Sequence, residues 1–234
     1  MDGKPILSVQ GFHQVNYTYN GTRRASETFF STTGDLVIPT NRNGSSIHYE
    51  YDQSGRITKT TYVDAKGNPI LTKDGYAILS RNYDSYGNIL EEAYYDTNGK
   101  PIKSVAGYAR VKRGYANRRL VKEAYYDTDN HPLLLATGYA SLAVTYDKAG
   151  NVAIVKYYDI AGNPVITTRG YAIWERIYDD AKRVIHESYY GVDGEPIIIS
   201  AGYAALKREY NDSGLLVKET YYDTNDVVVG YKSQ

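Results

Sequence analysis

The sequence predicts an all-β fold made of tandem hairpin repeats of about 32 residues, stacked as a solenoid or spiral sheet. First, Gly-Tyr-Ala recurs at spacings of 32, 31, 32 and 32 residues, beginning at Gly75, Gly107, Gly138, Gly170 and Gly202. Second, Tyr, Val, Ile and Thr dominate between the turn signals, which favours strands. Third, a unit this small cannot bury its own apolar face, so neighbouring units must cover it.

The repeat extends beyond these five units in both directions. Looser copies begin at Gly11 and near Asn43, and Gly230-Tyr231 closes a shortened last copy, which makes about seven copies. We therefore predict a single tandem-repeat domain over residues 1–234. The segment Asp2–Ile6 matches Asn98–Ile102, which lies late in a unit. The chain thus starts mid-repeat, and we expect a fragment of a larger protein in which more repeats or another domain precede residue 1.

Each unit contains two turn signals between its strands. In the best-formed unit they are Asp84–Asn88 and Asp96–Lys100, each opened by Asp with Gly three residues later. This order suits a type I turn followed by a left-handed residue in a bulge, as in three-residue hairpin loops. The Asp side chain caps such a turn. Pro101 then opens a short strand, where its missing N–H is tolerated.

The two faces of the first strand differ in regularity. Alternate residues from Ala77 to Tyr83 have close equivalents in the other units, whereas those from Ile78 to Asn82 vary. Because alternate residues of a strand share one face, the regular set is predicted to form the core and the irregular set to face solvent.

Two charged slots recur within the regular pattern. The first strand carries arginine and the second carries glutamate, and the expected hairpin sets residue 81 opposite roughly residue 92. Leaving one buried charge alone is costly, so a joint loss of both partners points to structural ion pairs. One unit shows that joint loss, with Val144 and Val155 in the two slots. A row of binding arginines is the alternative. The predicted pairs are Arg81 with Glu92, Arg113 with Glu123, Arg176 with Glu187, and Arg208 with Glu219.

The two earliest units depart from these slots. The unit near Asn43 has Tyr49 and Thr60, so it lacks both charges, whereas the unit at Gly11 has Tyr17 but keeps Glu27. The first unit therefore breaks the rule of joint loss.

Tyrosines are the most distinctive component, at 27 residues against 3 Phe and 1 Trp. By alternation, the tyrosine after each repeat glycine falls on the irregular face, so rows of exposed or half-exposed rings are expected. Such rings either pack between units with their hydroxyl groups exposed to solvent or form a rigid, amphipathic ligand surface. The candidate ligand residues are Tyr76, Tyr108, Tyr139, Tyr171 and Tyr203, with Trp174 as a secondary candidate. Trp174 aligns with Leu79 and Leu206, which favours the core for it.

Composition excludes several functional classes. The chain has no cysteine, and its acids and bases balance at 27 each, so neither thiol chemistry nor a nucleic-acid partner is indicated. Its four histidines fall at four different places in the unit, and no catalytic or phosphate-binding motif is present. Each turn offers too few carboxylates for a hard cation. We expect no enzyme, no metal, no cofactor and no membrane insertion.

Two families share short phrases with this chain. Tyr-Tyr-Asp-x-x-Gly-Lys-Pro-Ile at 94–102 resembles the Gram-positive cell-wall-binding repeats of choline-binding, glucan-binding and clostridial toxin type. That resemblance implies a hairpin solenoid that binds carbohydrate or wall polymer between aromatic residues. The family's Trp is missing here and its units are shorter. Tyr-Asp-x-x-Gly-Asn at 83–88 and 146–151 resembles the YD repeats of Rhs and teneurin-type proteins, which wind a long sheet into a shell.

We therefore predict a non-catalytic module that binds carbohydrate or cell-wall polymer through tyrosine-lined surfaces. The alternative is a structural spacer, an adhesin stalk or a YD-type shell segment without a small ligand. The expected location is extracellular or at the cell surface, in a bacterium. An uncapped end of the sheet would also invite edge-to-edge dimers.

Overall fold

The computed structural model describes residues 5–233, and in this range it contains fifteen β-strands and no helix. Each strand hydrogen-bonds to its neighbours in chain order, in one antiparallel sheet. This confirms the predicted all-β fold class of tandem hairpins stacked on one another. The strands are β1 Gln14–Asn20, β2 Arg23–Phe30, β3 Ser46–Tyr51, β4 Ile57–Val63, β5 Ile78–Tyr83, β6 Ile89–Tyr95, β7 Arg110–Ala116, β8 Arg119–Tyr126, β9 Ser141–Tyr146, β10 Val152–Tyr158, β11 Ile173–Tyr178, β12 Val184–Tyr190, β13 Ala205–Tyr210, β14 Leu216–Tyr222 and β15 Val228–Ser233.

The chain divides into two compact units. Residues 5–112 and Tyr126–His131 belong to the first, and Arg113–Tyr125 with residues 132–233 belong to the second. The single domain over residues 1–234 stays a prediction. The mid-repeat start was inferred from residues 2–6, which lie mostly outside the described part of the chain. Within that part, no helix is long and apolar enough to cross a membrane.

The hairpin turns form as their sequence predicts. In the β5–β6 hairpin, one carboxylate oxygen of Asp84 accepts the backbone N–H groups of Tyr86 and Asn88, each at 2.9 Å. Gly87 has a φ of +89°, which only glycine adopts without strain. The strand register shifts between Asn82 and Tyr83, so the turn carries the expected bulge. Hydrogen bonds from Asn88 hold the pKa of Asp84 below its ordinary value.

The core follows the regular face of the repeat. Ala77 is fully buried, because its N–H donates to the Tyr95 carbonyl while its own carbonyl accepts from Tyr62 in the preceding hairpin. A small side chain suits this position between two strands. The equivalent buried alanines are Ala109, Ala140, Ala172 and Ala204, and buried aliphatic residues follow two positions later at Leu79, Val111 and Leu206.

The last repeat ends differently from the others. In the preceding repeat Tyr190 makes an isolated bridge to Pro196, after which the chain leaves the strand. Val228 stands at the position of that proline and pairs with Tyr222, and the chain continues along β14 as β15. Proline has no N–H to extend a ladder, so its absence allows the extra strand. β1 and β15 form the two edges of the sheet, and edge-to-edge pairing stays a prediction.

Candidate functional site

The five repeat tyrosines lie on the core side of the sheet, so their placement on the irregular face was wrong. Tyr76 shows why. Its ring centroid lies 4.8 Å from that of Tyr94, and Tyr94 pairs across the hairpin with Leu79 of the regular face. The chain bends at Ala77, and β5 begins only at Ile78. Strand alternation therefore does not extend back to Tyr76.

Tyrosine rings contact one another from hairpin to hairpin within each unit. The repeat tyrosines alternate with the first tyrosine of each Tyr-Tyr pair, at centroid separations of 4.8 to 6.1 Å. Tyr125, Tyr171 and Tyr189 are buried, with 8%, 5% and 6% of their surface exposed, and the other members are half-buried. We call this arrangement the ring row. It comprises Tyr62, Tyr76, Tyr94 and Tyr108 in the first unit, and Tyr125, Tyr139, Tyr157, Tyr171, Tyr189, Tyr203 and Tyr221 in the second.

Trp174, the secondary ligand candidate, is part of the sheet itself. It lies in β11 opposite Tyr189 and opposite Val155 of the preceding hairpin. Its ring is half-buried, and the guanidinium of Arg176 lies 4.0 Å from the ring centroid. The indole therefore makes a cation–π contact within its own strand.

Arginine and glutamate face each other across each of the four predicted hairpins. In every case the arginine Nε donates to a carboxylate oxygen of the glutamate. The side chains are partly buried, and Glu187 is the most buried of the eight, with 8% of its side chain exposed. The distances are 2.9 Å for Arg81–Glu92, 2.6 Å for Arg113–Glu123, 2.6 Å for Arg176–Glu187 and 2.8 Å for Arg208–Glu219. In the β9–β10 hairpin, where both charged positions are taken by valine, Val144 pairs with Val155.

Two tyrosines of the ring row donate hydrogen bonds to glutamates of the ion pairs. The hydroxyls of Tyr125 and Tyr189 donate short hydrogen bonds to Glu123 and Glu187, two residues earlier on the same strands. Burial raises the pKa of Tyr189 well above its ordinary value, and the bond to the Glu187 carboxylate adds to the increase. Each such carboxylate thus accepts from an arginine and a phenol together, which keeps both hydrogen-bonded within the sheet.

A second arginine row was not predicted from the sequence. Arg56 precedes β4, lies 5.0 Å from the ring centroid of Tyr83, and donates to the carbonyl of Asp84 at 2.5 Å. The Tyr83 hydroxyl in turn donates to the carbonyl of Ile57 at 2.7 Å. These contacts join one hairpin turn to the next. The other members are Arg23 over Tyr51, Arg119 over Tyr146 and Arg183 over Tyr210. Arginine recurring at the start of the second strand was the available signal.

One acidic turn brings together potential metal ligands. Single ligand atoms of Asp127, Asp129 and His131 lie within 4.8 Å of one another. One Asp127 oxygen accepts the backbone N–H groups of Asp129 and His131, as the capping aspartates of other turns do. The arrangement is accounted for by turn capping.

Tyr157→Ala is expected to lower the free energy of unfolding by about 3 kcal/mol, since it removes a packed ring. Tyr157→Phe should cost less than about 1 kcal/mol. Tyr157 contacts the rings of Tyr139 and Tyr171, at centroid distances of 4.8 and 6.0 Å. Urea unfolding followed by circular dichroism measures both variants. Tyr86→Ala, at a 69% exposed turn residue, is the control, and equal losses for Tyr157→Ala and Tyr86→Ala would contradict the packing role.

Comparison with known proteins gives one family match. The RHS repeat family model matches residues 32–73. No curated protein matches the chain. The crystal structure of TcdB2-TccC3-TEV is similar at 16% identity and a TM-score of 0.39, over 89% of this chain and 11% of that chain. TcdB2-TccC3 without its hypervariable C-terminal region gives 15% identity and a TM-score of 0.39, over 97% and 11%.

A Tc holotoxin pore of Photorhabdus luminescens is similar at 14% identity and a TM-score of 0.23, over 95% of this chain and 15% of that chain. The present chain therefore spans only a small part of each of these proteins. The family that matches is the RHS repeat, so the resemblance to YD repeats gains support over residues 32–73 and the resemblance to cell-wall-binding repeats gains none.

Proposed function

We propose that the chain is a non-catalytic structural segment of the RHS or YD type, in which tandem hairpins build a continuous β-sheet wall. The ring row carries this proposal. The tyrosines predicted to bind a ligand instead contact tyrosines of the same and the neighbouring hairpins, as Tyr139 does with Tyr125 and Tyr157. The RHS repeat match over residues 32–73 supports the same function.

Contacts between consecutive hairpins suit a wall that resists separation of its repeats. Besides the ring row, the tyrosine that ends the first strand of several hairpins donates a hydrogen bond to a main-chain carbonyl of the hairpin before it. Tyr146 donates to Leu120 at 2.8 Å, and Tyr178 donates to Val152 at 2.9 Å. These bonds repeat at the same position, so consecutive hairpins within a unit are joined by main-chain and side-chain hydrogen bonds, and by ring contacts as well wherever a repeat tyrosine is present.

Binding of polysaccharide or cell-wall polymer through the same tyrosines is the competing function. It requires ring faces open to solvent, whereas Tyr171 is 5% exposed and its equivalents are half-buried. The packing therefore favours the wall. An extracellular or cell-surface location and a bacterial source stay predictions.

Ligand binding and packing give opposite results in one experiment. The purified chain is titrated with cell-wall material and a polysaccharide panel, with intrinsic fluorescence and a pull-down as readouts. We expect no saturable response, and we expect the double variant Tyr139→Ala, Tyr171→Ala to unfold at lower urea concentration. The matched control Tyr139→Phe, Tyr171→Phe keeps the rings and should stay close to the parent. A saturable response that a folded alanine variant loses would overturn the proposal.

A further inference from the structure

The β3–β4 hairpin has no ring at the position that the repeat tyrosine takes in later hairpins. Phe29 N–H donates to the Ser45 carbonyl, as Tyr94 N–H donates to Ala109 in a later repeat. Ser45 therefore takes the position of Ala109, and the preceding residue, Gly44, takes the position of the repeat tyrosine.

No ring can be placed at this position without moving the backbone. A Cβ atom on Gly44 would lie 2.8 Å from the carbonyl oxygen of Ser46 and 2.9 Å from that of Val63. Both are main-chain atoms of paired strands, so neither moves easily. The backbone at Gly44 thus prevents a ring from joining Phe29, which contacts Phe12, to Tyr62, where the ring row begins.

The same hairpin also lacks the recurrent ion pair. Tyr49 stands in the arginine slot and pairs with Thr60 in the glutamate slot. Thr60 is buried, and its side chain is shorter than glutamate and uncharged. Two bulky groups, a ring and a carboxylate, are therefore missing at adjacent places on the core face.

A cavity of about 470 Å³ opens where these groups are missing. Its volume falls in the range of small-molecule sites, about 300 to 1,000 Å³. Ile47 and Leu79 contribute apolar surface, and Thr60, Tyr62 and Tyr76 contribute hydroxyls. Its charged lining residues are Arg24, Arg42, Arg81 and Glu27, so arginines outnumber carboxylates three to one.

The single lining carboxylate is already occupied. Glu27 is bound by Arg24 at 3.1 Å, by Arg42 at 3.4 Å and by the Tyr49 hydroxyl at 3.0 Å. Arg81 contacts Glu92 through Nε at 2.9 Å, which leaves its terminal nitrogens for a second partner. Positive charge is therefore in excess on the cavity wall.

A later repeat shows what such a second partner looks like. Arg208 binds Glu219 through Nε at 2.8 Å, and its Nη1 lies 3.8 Å from Glu187 of the preceding hairpin. For Arg81 the residue equivalent to Glu187 is Thr60, so no carboxylate comes from the preceding hairpin. Arg176 likewise has no carboxylate from the preceding hairpin, but its guanidinium lies 4.0 Å from the centroid of the Trp174 ring, which occupies that side of it.

We propose that this cavity binds a small organic carboxylate. Its carboxylate group occupies the place of the missing glutamate beside Arg81, forming charge-assisted hydrogen bonds with the guanidinium. Arg42 and Arg24 add attraction from the same wall, and the apolar part of the ligand rests on Ile47 and Leu79. A sugar acid and an acidic amino acid share this chemistry. The site goes beyond the wall function and does not depend on it.

Isothermal titration calorimetry of the full chain tests the proposal with glucuronate and N-acetylaspartate, and with glucose as the neutral control. At least one acid should bind, more weakly as salt is raised, and glucose should not. Thr60→Glu places the chain's own carboxylate in the site and should weaken binding at least tenfold, about 1.4 kcal/mol. Thr60→Val removes the same hydroxyl without adding a charge and should bind more tightly than Thr60→Glu, which separates the effect of the carboxylate from the loss of the hydroxyl.

The choice between the two acids identifies the class of carboxylate that the cavity binds. Binding of glucuronate alone identifies a sugar acid, and binding of N-acetylaspartate alone identifies an acidic amino acid. If Thr60→Glu does not fold, Arg81→Lys replaces it, since lysine keeps a charge for Glu92 but loses the planar fork. Failure of both acids to bind, equal binding of glucose, or undiminished binding in the folded variant would overturn the proposal.

Discussion

Glu187→Val is expected to lower the free energy of unfolding by about 3 kcal/mol, because it leaves a partly buried arginine without its partner. The Glu187 carboxylate accepts from Arg176 Nε at 2.6 Å and from the Tyr189 hydroxyl, and Arg208 lies 3.8 Å away. Its side chain is 8% exposed, so water does not replace these partners. A surface pair gives no comparable loss. Glu50, which is 65% exposed and bound to Lys59, should cost at most about 1 kcal/mol when replaced by Val.

The double variant Arg176→Val, Glu187→Val should recover more than half of that loss. It reproduces the Val144–Val155 pair of the preceding hairpin, in which both charges are absent. Replacing a buried pair by apolar residues is often neutral, whereas removing one partner is not. Urea unfolding of the parent, both single variants and the double variant measures the coupling. Losses that simply add would contradict a mutually dependent pair.

The ion pairs could be predicted because the repeats serve as internal comparisons. The turn type and loop length fix the register of a short hairpin, so the equivalent arginine and glutamate lie opposite each other, as Arg81 and Glu92 do. Capping by Asp84 follows equally from local sequence, since the turn and its bulge are specified by a few neighbouring residues. Both features depend on short-range geometry.

The placement of the repeat tyrosines could not be obtained in the same way. Alternation assigns Tyr76 to the irregular face only if β5 extends back to it, and a bend at Ala77 prevents that. The cavity at Thr60 depends on a backbone approach at Gly44, which no residue pattern encodes. Contacts between hairpins, such as Arg56 with Asp84, depend on the stacking of one turn on the next.

Raising the pH from 10 to 12 is expected to unfold the sheet cooperatively. Burial, together with neighbouring ring-row tyrosines, raises the pKa of Tyr76 and Tyr157 from 10 to about 12. Burial also raises the pKa of Tyr94 and Tyr125 well above the ordinary value. Because the folded pKa exceeds the unfolded one, the stabilisation is complete below pH 10 and is lost as the pH rises toward the folded value. Each such tyrosine contributes roughly 1 kcal/mol after solvent screening.

Removing ionisable phenols from the ring row should move this transition to higher pH. Tyr76→Phe and Tyr157→Phe, combined in one chain, keep both rings but remove two groups that the unfolded state ionises first, one from each compact unit. Circular dichroism across the alkaline range gives the unfolding midpoint, and phenolate absorbance reports ionisation in the same samples. Tyr86→Phe, at an exposed turn position, is the matched control and should leave the midpoint close to the parent. An unchanged midpoint in the double variant would show that the ring-row phenols do not drive alkaline unfolding.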